Sequence, residues 1–187
     1  MAAMPVMTRD PWAWTVDDLD HLPDDDLQYE LLDGLLLVSP APVARHQVIS
    51  GELFAALRSA CPPELYPLMA PVDWRPDRRT SLQPDLLVVP KRMLDVATLT
   101  EPVPLVVEVL SPSTRRKDLV TKRSKYEDVG VPSYWVIDPD GPSIVAWELV
   151  DGRYRTAGEA SGEQKLRLEQ PFPITLVPSA LLAPYQP

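Results

Sequence analysis

Glu108 stands in the middle of the run PLVVEVL, with Val106 and Leu110 on its own face and Leu105, Val107 and Val109 on the other. A strand that is apolar on both faces is one that is covered on both faces. Burying an unpaired carboxylate there costs several kcal/mol, so Glu108 needs a cation, a proton or strong hydrogen-bond donors. Asp85 raises the same problem, because it opens the apolar run LLVV directly after Pro84. Taken alone, Asp85 is equally well read as a salt bridge or a strand-end hydrogen bond. Two acids brought in on adjacent strands of one sheet can converge on a hard divalent cation, which prefers carboxylate oxygens.

The segment after Glu108 supplies a cation. Asp118, Lys122 and Tyr126 are spaced by four, and Leu119 and Val129 border the same stripe, so a helix here turns Lys122 toward its apolar side. The alternative for Lys122 is an Asp118–Lys122 ion pair worth only a few tenths of a kcal/mol. Arg115, Arg116, Lys117, Arg123 and Lys125 read as solvated. Together they make RRKDLVTKRSK a basic strip inside a chain of net charge −9, whose acids crowd residues 17 to 33. The net charge argues against a general nucleic-acid coating protein, whereas the strip offers a local contact for phosphates.

Other chemistries lack their residues. Cys61 is the single cysteine, which excludes an internal disulfide and reads as a small packing residue. Ser111, Ser113 and Thr114 have no matched histidine and acid, and there is neither a glycine-rich phosphate loop nor a Cys/His zinc spacing. The five tryptophans fall on separate elements and predict core or edge positions rather than a stacking platform. The opening residues hold no unbroken apolar stretch of signal-peptide length, and no later stretch is long enough to span a bilayer, so the expectation is a cytoplasmic protein without a membrane partner.

The elements that position these residues follow from pattern and punctuation. Residues 1 to 14 lack periodicity and are expected to form a flexible N-terminal arm, with one domain over 15 to 187. Thr15 and Asp18 make a capping box for a short helix ended by Pro23. QYELL and LLLVS flank Asp33-Gly34, a hairpin turn. From Val43 to Ala60, Ile49, Leu53, Ala56, Leu57 and Ala60 recur at helical spacing, and Pro62-Pro63 stop the helix. YPLMAPVDW, PDLLVV and PLVVEVL read as three strands. Arg115 to Val129 reads as a helix with Gly130 at its C-cap, SYWVID as a strand, and SIVAWELV and RYRTA as a second hairpin around Asp151-Gly152. This order predicts an α/β (α+β) fold, a mixed β-sheet flanked by helices with N-terminal and C-terminal β-hairpins.

Glu30 in YELLDG, Asp85 in QPDLLVV, Glu108 in VVEVLSPST, the D-x-x-x-K-x-x-x-Y of Asp118, Lys122 and Tyr126, and GVPSYWVIDP together resemble the bacterial Uma-two restriction-endonuclease-like family, a branch of the PD-(D/E)XK nuclease superfamily. The likeness runs from about Thr15 to past Trp147. It departs from the superfamily pattern where the lysine two residues after the acid is replaced by Leu110, and the resemblance puts Lys122 in that role. It implies a restriction-endonuclease-like fold and metal-assisted hydrolysis of DNA phosphodiester bonds. Asp85 and Glu108 would bind Mg²⁺ or Mn²⁺, Lys122 would position a water and stabilise developing charge, and Glu30 would complete the metal or water shell. His46 matches a histidine in the family's PxPxxxH-like stretch, where an auxiliary role stands beside that of an ordinary exposed or capping histidine. The resemblance also implies a homodimer, since related nucleases pair to meet two strands. Two rivals remain at the level of sequence: a catalytically inactive nuclease-fold module for binding or regulation, and a metal hydrolase of a small phosphodiester or nucleotide.

Overall fold

In each Asp-Gly pair both residues take positive φ: Asp33 at 51° and Gly34 at 89°, Asp151 at 52° and Gly152 at 73°. That conformation matches the twist of two strands joined by a two-residue turn, so each pair closes a hairpin. The computed structural model of the chain describes residues 10–25, 27–111, 115 and 117–185, without the side chains of 117, 118, 184 and 185. After helix α1 (Val16–Leu19), the first hairpin is β1 (Leu27–Leu32) and β2 (Leu35–Pro40), followed by helix α2 (Ala44–Ala60). Strands β3 (Leu65–Met69), β4 (Trp74–Asp77), β5 (Thr80–Leu82), β6 (Leu86–Pro90) and β7 (Leu105–Val109) come next. A π-helical turn, Lys117–Lys122, runs into helix α3 (Arg123–Asp128). The chain continues through β8 (Ser133–Asp138), the hairpin β9 (Ser143–Val150) and β10 (Arg153–Ser161), β11 (Leu166–Leu168), β12 (Ile174–Leu176) and a 3₁₀ segment, Pro178–Tyr185.

Six strands make the central sheet in the order β10-β9-β8-β7-β6-β3, and four make a second sheet in the order β2-β1-β5-β4. Every neighbouring pair in the central sheet is antiparallel except β7 and β8. A parallel pair needs a crossover rather than a tight turn, and the helical segment with Lys122 is that crossover. The mixed sheet with flanking helices is thus present. Strand β7 is buried along its whole length, as its two-sided apolar pattern required. Leu105, Val107 and Val109 join one core cluster with Ile49, Leu53 and Leu57 of α2, and with β11, β12 and the 3₁₀ segment. Val106 and Leu110 join the other cluster, with Tyr126, Trp74, Leu32 and Leu82 from α3 and the second sheet.

Two expectations need correction. YPLMAPVDW is not one strand: it breaks at residues 70–73 into β3 on the edge of the central sheet and β4 on the edge of the other, where Ala70, Pro71 and Val72 cannot continue a ladder lacking the proline N–H. The helix expected over Arg115 to Val129 is regular only from Arg123, its first part being π-helical. Residues 1–9 of the expected N-terminal arm lie outside the described residues, while Trp14 is buried and its N–H donates to the Gly34 carbonyl at 3.1 Å.

Helix α3 is tied to the second sheet by one ammonium. Lys125 Nζ is hydrogen-bonded to Asp33 in the first hairpin turn at 2.6 Å and to Asp77 at the end of β4 at 2.9 Å. Burial pushes the Asp77 carboxyl up, but hydrogen bonds from Lys125, the Arg79 N–H and Thr80 outweigh it and leave the group below its ordinary value. Burial likewise opposes the Lys125 charge, and Asp33 and Asp77 together leave that group raised. The depressed Asp77 contributes stability that is complete above its unfolded value near 4 and is lost as pH falls through the lower folded value. The raised Lys125 loses its contribution only above about pH 10.4, outside the working range. Lys125→Met is expected to cost about 1–3 kcal/mol in urea unfolding at pH 7, less than a fully buried pair because both carboxylates stay solvent-accessible. The gap between variant and parent should close as pH falls below about 4; a gap that stays constant to the acid limit of folding would contradict this account.

Candidate active site

The site is assembled where the two sheets meet. Glu30 lies in β1, Glu108 in β7, and Asp85 is the residue immediately before β6. Strands β6 and β7 are paired with Leu86 opposite Val107, and continuing that register by one residue sets Asp85 opposite Glu108. The notion of two acids entering on adjacent strands is therefore met by the pairing itself. Lys122 is delivered by the last turn of the π-helical segment, and Tyr126 one turn later by α3.

The charged groups meet at bonding distance. Lys122, only 4% exposed, places Nζ 3.0 Å from Glu108 Oε1 and 3.0 Å from Glu30 Oε1. Tyr126 donates its phenolic hydrogen to the same Glu108 Oε1 at 2.7 Å. Burial first, then the charge of Glu108, pushes the Tyr126 phenol well above its ordinary value, so it remains a donor throughout the pH range of a folded protein. Glu30 Oε1 also accepts the Gln83 N–H at 2.9 Å. A buried carboxylate is stable only with such partners, and each glutamate has at least two.

Asp85 is held differently. Its Oδ2 accepts the Val109 N–H at 2.7 Å, so the strand that carries Glu108 also fixes Asp85. His46, in the first turn of α2, brings Nε2 to 3.2 Å from Asp85 Oδ2 and to 3.2 Å from the Val109 carbonyl oxygen. Glu30, His46, Asp85, Glu108 and Lys122 all line one cavity of about 210 Å³, together with Pro40–Val43, Gln28, Gln83 and Ser111. Three carboxylates against one ammonium leave that cavity with a formal excess of two negative charges when His46 is neutral. Among the described residues no three His, Cys, Asp or Glu side chains form a cluster that could hold a metal ion by themselves. Two carboxylates with backbone oxygen, solvent and substrate phosphate completing the shell is, however, the ordinary arrangement for a small hard dication.

The described cations of the basic strip go to separate partners. Arg115 pairs with Asp138, and Lys125 with Asp33 and Asp77. Arg123 lies 5.0 Å over the ring of Trp147 and 5.9 Å over that of Tyr154. Arg116 and the side chains of Lys117 and Asp118 lie outside the described residues. Sequence reasoning missed Gln83 and the backbone of Val109, both of which act through main-chain atoms and so leave no signal in residue type. Among the described residues no helix is long and apolar enough to cross a membrane.

Comparisons with known proteins bear on the fold and the family. A search of the curated proteins finds no match. Among solved structures, the chain is similar to one from Anabaena variabilis ATCC 29413 described as "a putative nuclease belonging to DUF820", with a TM-score of 0.71 and 16% identity over 91% of this chain and 98% of the other. At that identity the likeness concerns the fold, which is shared almost from end to end. The sequence matches the Uma2 family, described as "Putative restriction endonuclease", over residues 16–182. That span contains every element carrying the cavity, and the chain belongs to this family.

Proposed function

We propose that the cavity hydrolyses phosphodiester bonds in DNA with a divalent metal ion, Mg²⁺ or Mn²⁺, held against Asp85 and Glu108. The observation that carries this reading is the convergence of Lys122, Glu30 and Glu108 within 3.0 Å in a cavity also lined by Asp85. Restriction-endonuclease-like proteins generally use divalent metals, and the donors here fit one: hard carboxylate oxygens from two paired strands, with an uncompensated charge of two. Such an ion supplies Lewis-acid polarisation of a phosphoryl oxygen.

The chain's own residues do the rest. Lys122 is fixed by two carboxylates rather than left to swing, so its ammonium faces the cavity ready to orient a water and to meet charge as it develops on the phosphoryl group. Tyr126 and Lys122 hold Glu108 in one rotamer, and the Val109 N–H does the same for Asp85. Pro40–Val43 line one side of the cavity. No covalent intermediate is needed, since no nucleophilic side chain is required for attack by water.

A second reading, hydrolysis of a small phosphodiester or nucleotide, is favoured by one observation: Arg115, Arg123 and Lys125 are engaged by protein partners, which weakens the case for a broad polyanion track. Supercoiled plasmid and bis(p-nitrophenyl) phosphate, assayed side by side, separate the two. With Mg²⁺ or Mn²⁺ present, nicking of plasmid is expected, with loss under chelator and a fall of at least about 100-fold in Asp85→Asn and Glu108→Gln. Plasmid left intact under all conditions, with the small ester cleaved, would transfer the assignment to the second reading.

Tyr126→Phe tests whether the phenol positions Glu108. The substitution keeps the ring and removes one buried hydrogen bond, costing about 1–2 kcal/mol of stability. A positioning role predicts a fall in kcat of about 10-fold with KM unchanged. Lower stability with kcat intact would reduce Tyr126 to a packing residue.

A further inference from the structure

The charged cavity is small for a phosphodiester. At about 210 Å³ it falls below the roughly 300–1,000 Å³ of clefts that take a whole organic ligand, so it suits a phosphoryl group but not the nucleoside attached to one. Two larger depressions adjoin it. Gln83 lines all three, and Pro71 and Asp73 line both of the larger ones. One, of about 500 Å³, is bordered by Asp24, Asp25 and Asp73 against Arg75, which is itself paired with Asp73 and Asp20. Its charge disfavours a phosphate backbone. The other, of about 480 Å³, is walled by Leu68, Val72, Met93, Leu94, Val96 and Leu99, and Asp73 and Gln83 are its only polar side chains among the described residues.

The fold holds that apolar slot open. Leu99 bonds through its main chain to Asp73 and Arg75 at 3.2 and 2.7 Å, the Leu94 N–H donates to the Lys91 carbonyl at 3.1 Å, and the Arg92–Glu101 ion pair at 2.6 Å spans the segment between them. Leu94 and Val96 are nonetheless 40% and 49% exposed, two large apolar side chains kept on the rim. Gln83 Nε2 donates to Asp73 Oδ1 at 2.8 Å, which settles which end of the amide is the donor. The amide's carbonyl oxygen and second N–H have no other partner among the described residues. A side-chain amide offering an acceptor beside a donor is a group that reads the edge of a base. Apolar walls with one such group at the end shared with the charged cavity suit a flat heteroaromatic ring.

We propose that the slot between Val72 and Val96 receives the nucleobase next to the scissile phosphate, its faces against the apolar side chains and its edge against Gln83 and Asp73. This rests on the phosphodiester reading above and deepens it, because it requires a nucleoside on one side of the scissile bond. A base seated there is out of its stack, which costs least in single strands and mononucleotides.

The test uses the full chain with Mn²⁺ and two chromogenic esters, thymidine 5′-(p-nitrophenyl phosphate) and methyl p-nitrophenyl phosphate, which share a leaving group and differ in the nucleoside. The parent should cleave the thymidine ester with kcat/KM at least about 10-fold higher. Leu94→Asn combined with Val96→Asn should remove most of that advantage and leave the methyl ester within about 2-fold, whereas Leu94→Met with Val96→Ile should keep it. Both positions are exposed, so the substitutions disturb folding little, which circular dichroism checks. Thymidine alone, followed by saturation-transfer difference NMR, reports on the slot without turnover. Its base resonances should be enhanced by the parent and not by the double asparagine variant, and deoxyribose should give no signal. Equal cleavage of the two esters, or thymidine signals unchanged in that variant, overturns the base site and leaves the hydrolase reading standing. Thymidine signals that depend on the slot, without cleavage of either ester, sink the hydrolase reading and keep the base site. Neither cleavage nor a thymidine signal in the folded parent overturns both.

Discussion

Lys122 and Glu108 are 4% and 3% exposed, and Glu30 is 9% exposed, so three charges have been taken out of water at one point of the molecule. Removing one partner from such a group costs about 3–5 kcal/mol because a charge is then left buried alone. The arrangement holds only if β1, β7 and the segment before α3 arrive together, which makes the cluster a condition on the fold as much as a feature of it. A better-packed apolar core would be at least as stable, since the desolvation of buried ions is seldom fully repaid. Retaining the ions at that cost is intelligible where their chemistry is used.

The two sheets explain how a cluster with such tolerances is kept. Asp85 and Glu108 belong to directly paired strands, so their separation is set by the ladder. Glu30 comes from the other sheet, whose order β2-β1-β5-β4 places β1 beside the strand that leads through Gln83 into Asp85. The Gln83 N–H on Glu30 and the Val109 N–H on Asp85 are main-chain donors, which have no rotamer to lose. Lys122 alone comes from a helical segment, and there the turn is π-helical, an irregularity often found at functional sites. The Lys125 ammonium then clamps the following turn of helix to the first hairpin turn and the end of β4 in the second sheet.

What could be read from the sequence was whatever depends on residue type and local period. Glu108 announced itself because a charge in a strand apolar on both faces has to be compensated, and Lys122 because it shares a helical stripe with Tyr126. Asp85 was ambiguous alone, and Glu30 and His46 were reachable only through resemblance, since YELLDG and VARHQV carry no local oddity. Strand β5, the β11–β12 ribbon and the split of YPLMAPVDW were not legible, because three-residue strands and sheet membership are decided by non-local pairing. The basic strip shows the converse limit. Six cations in eleven residues look like one surface, yet Lys125 is turned inward by two acids that lie 48 and 92 positions away.

Net charge and local charge pull in different directions in this chain, and distance decides between them. In physiological salt the interaction between exposed charges is largely screened beyond about 8 Å, so the net charge of −9 acts on the cavity less than the groups that line it. Several acids of the 17–33 stretch are also locally matched: Asp17 by Arg78, Asp20 by Arg75 and Asp33 by Lys125. What a phosphate would meet at the cavity is the local excess of three carboxylates over one ammonium, which repels it. The same excess attracts a dication, and once the charge is balanced Lys122 is left to face the phosphate without opposition from Asp85 and Glu108. On the proposed reading, substrate affinity would thereby be conditional on the ion, and a centre of this sign would engage a phosphodiester only when equipped to hydrolyse it.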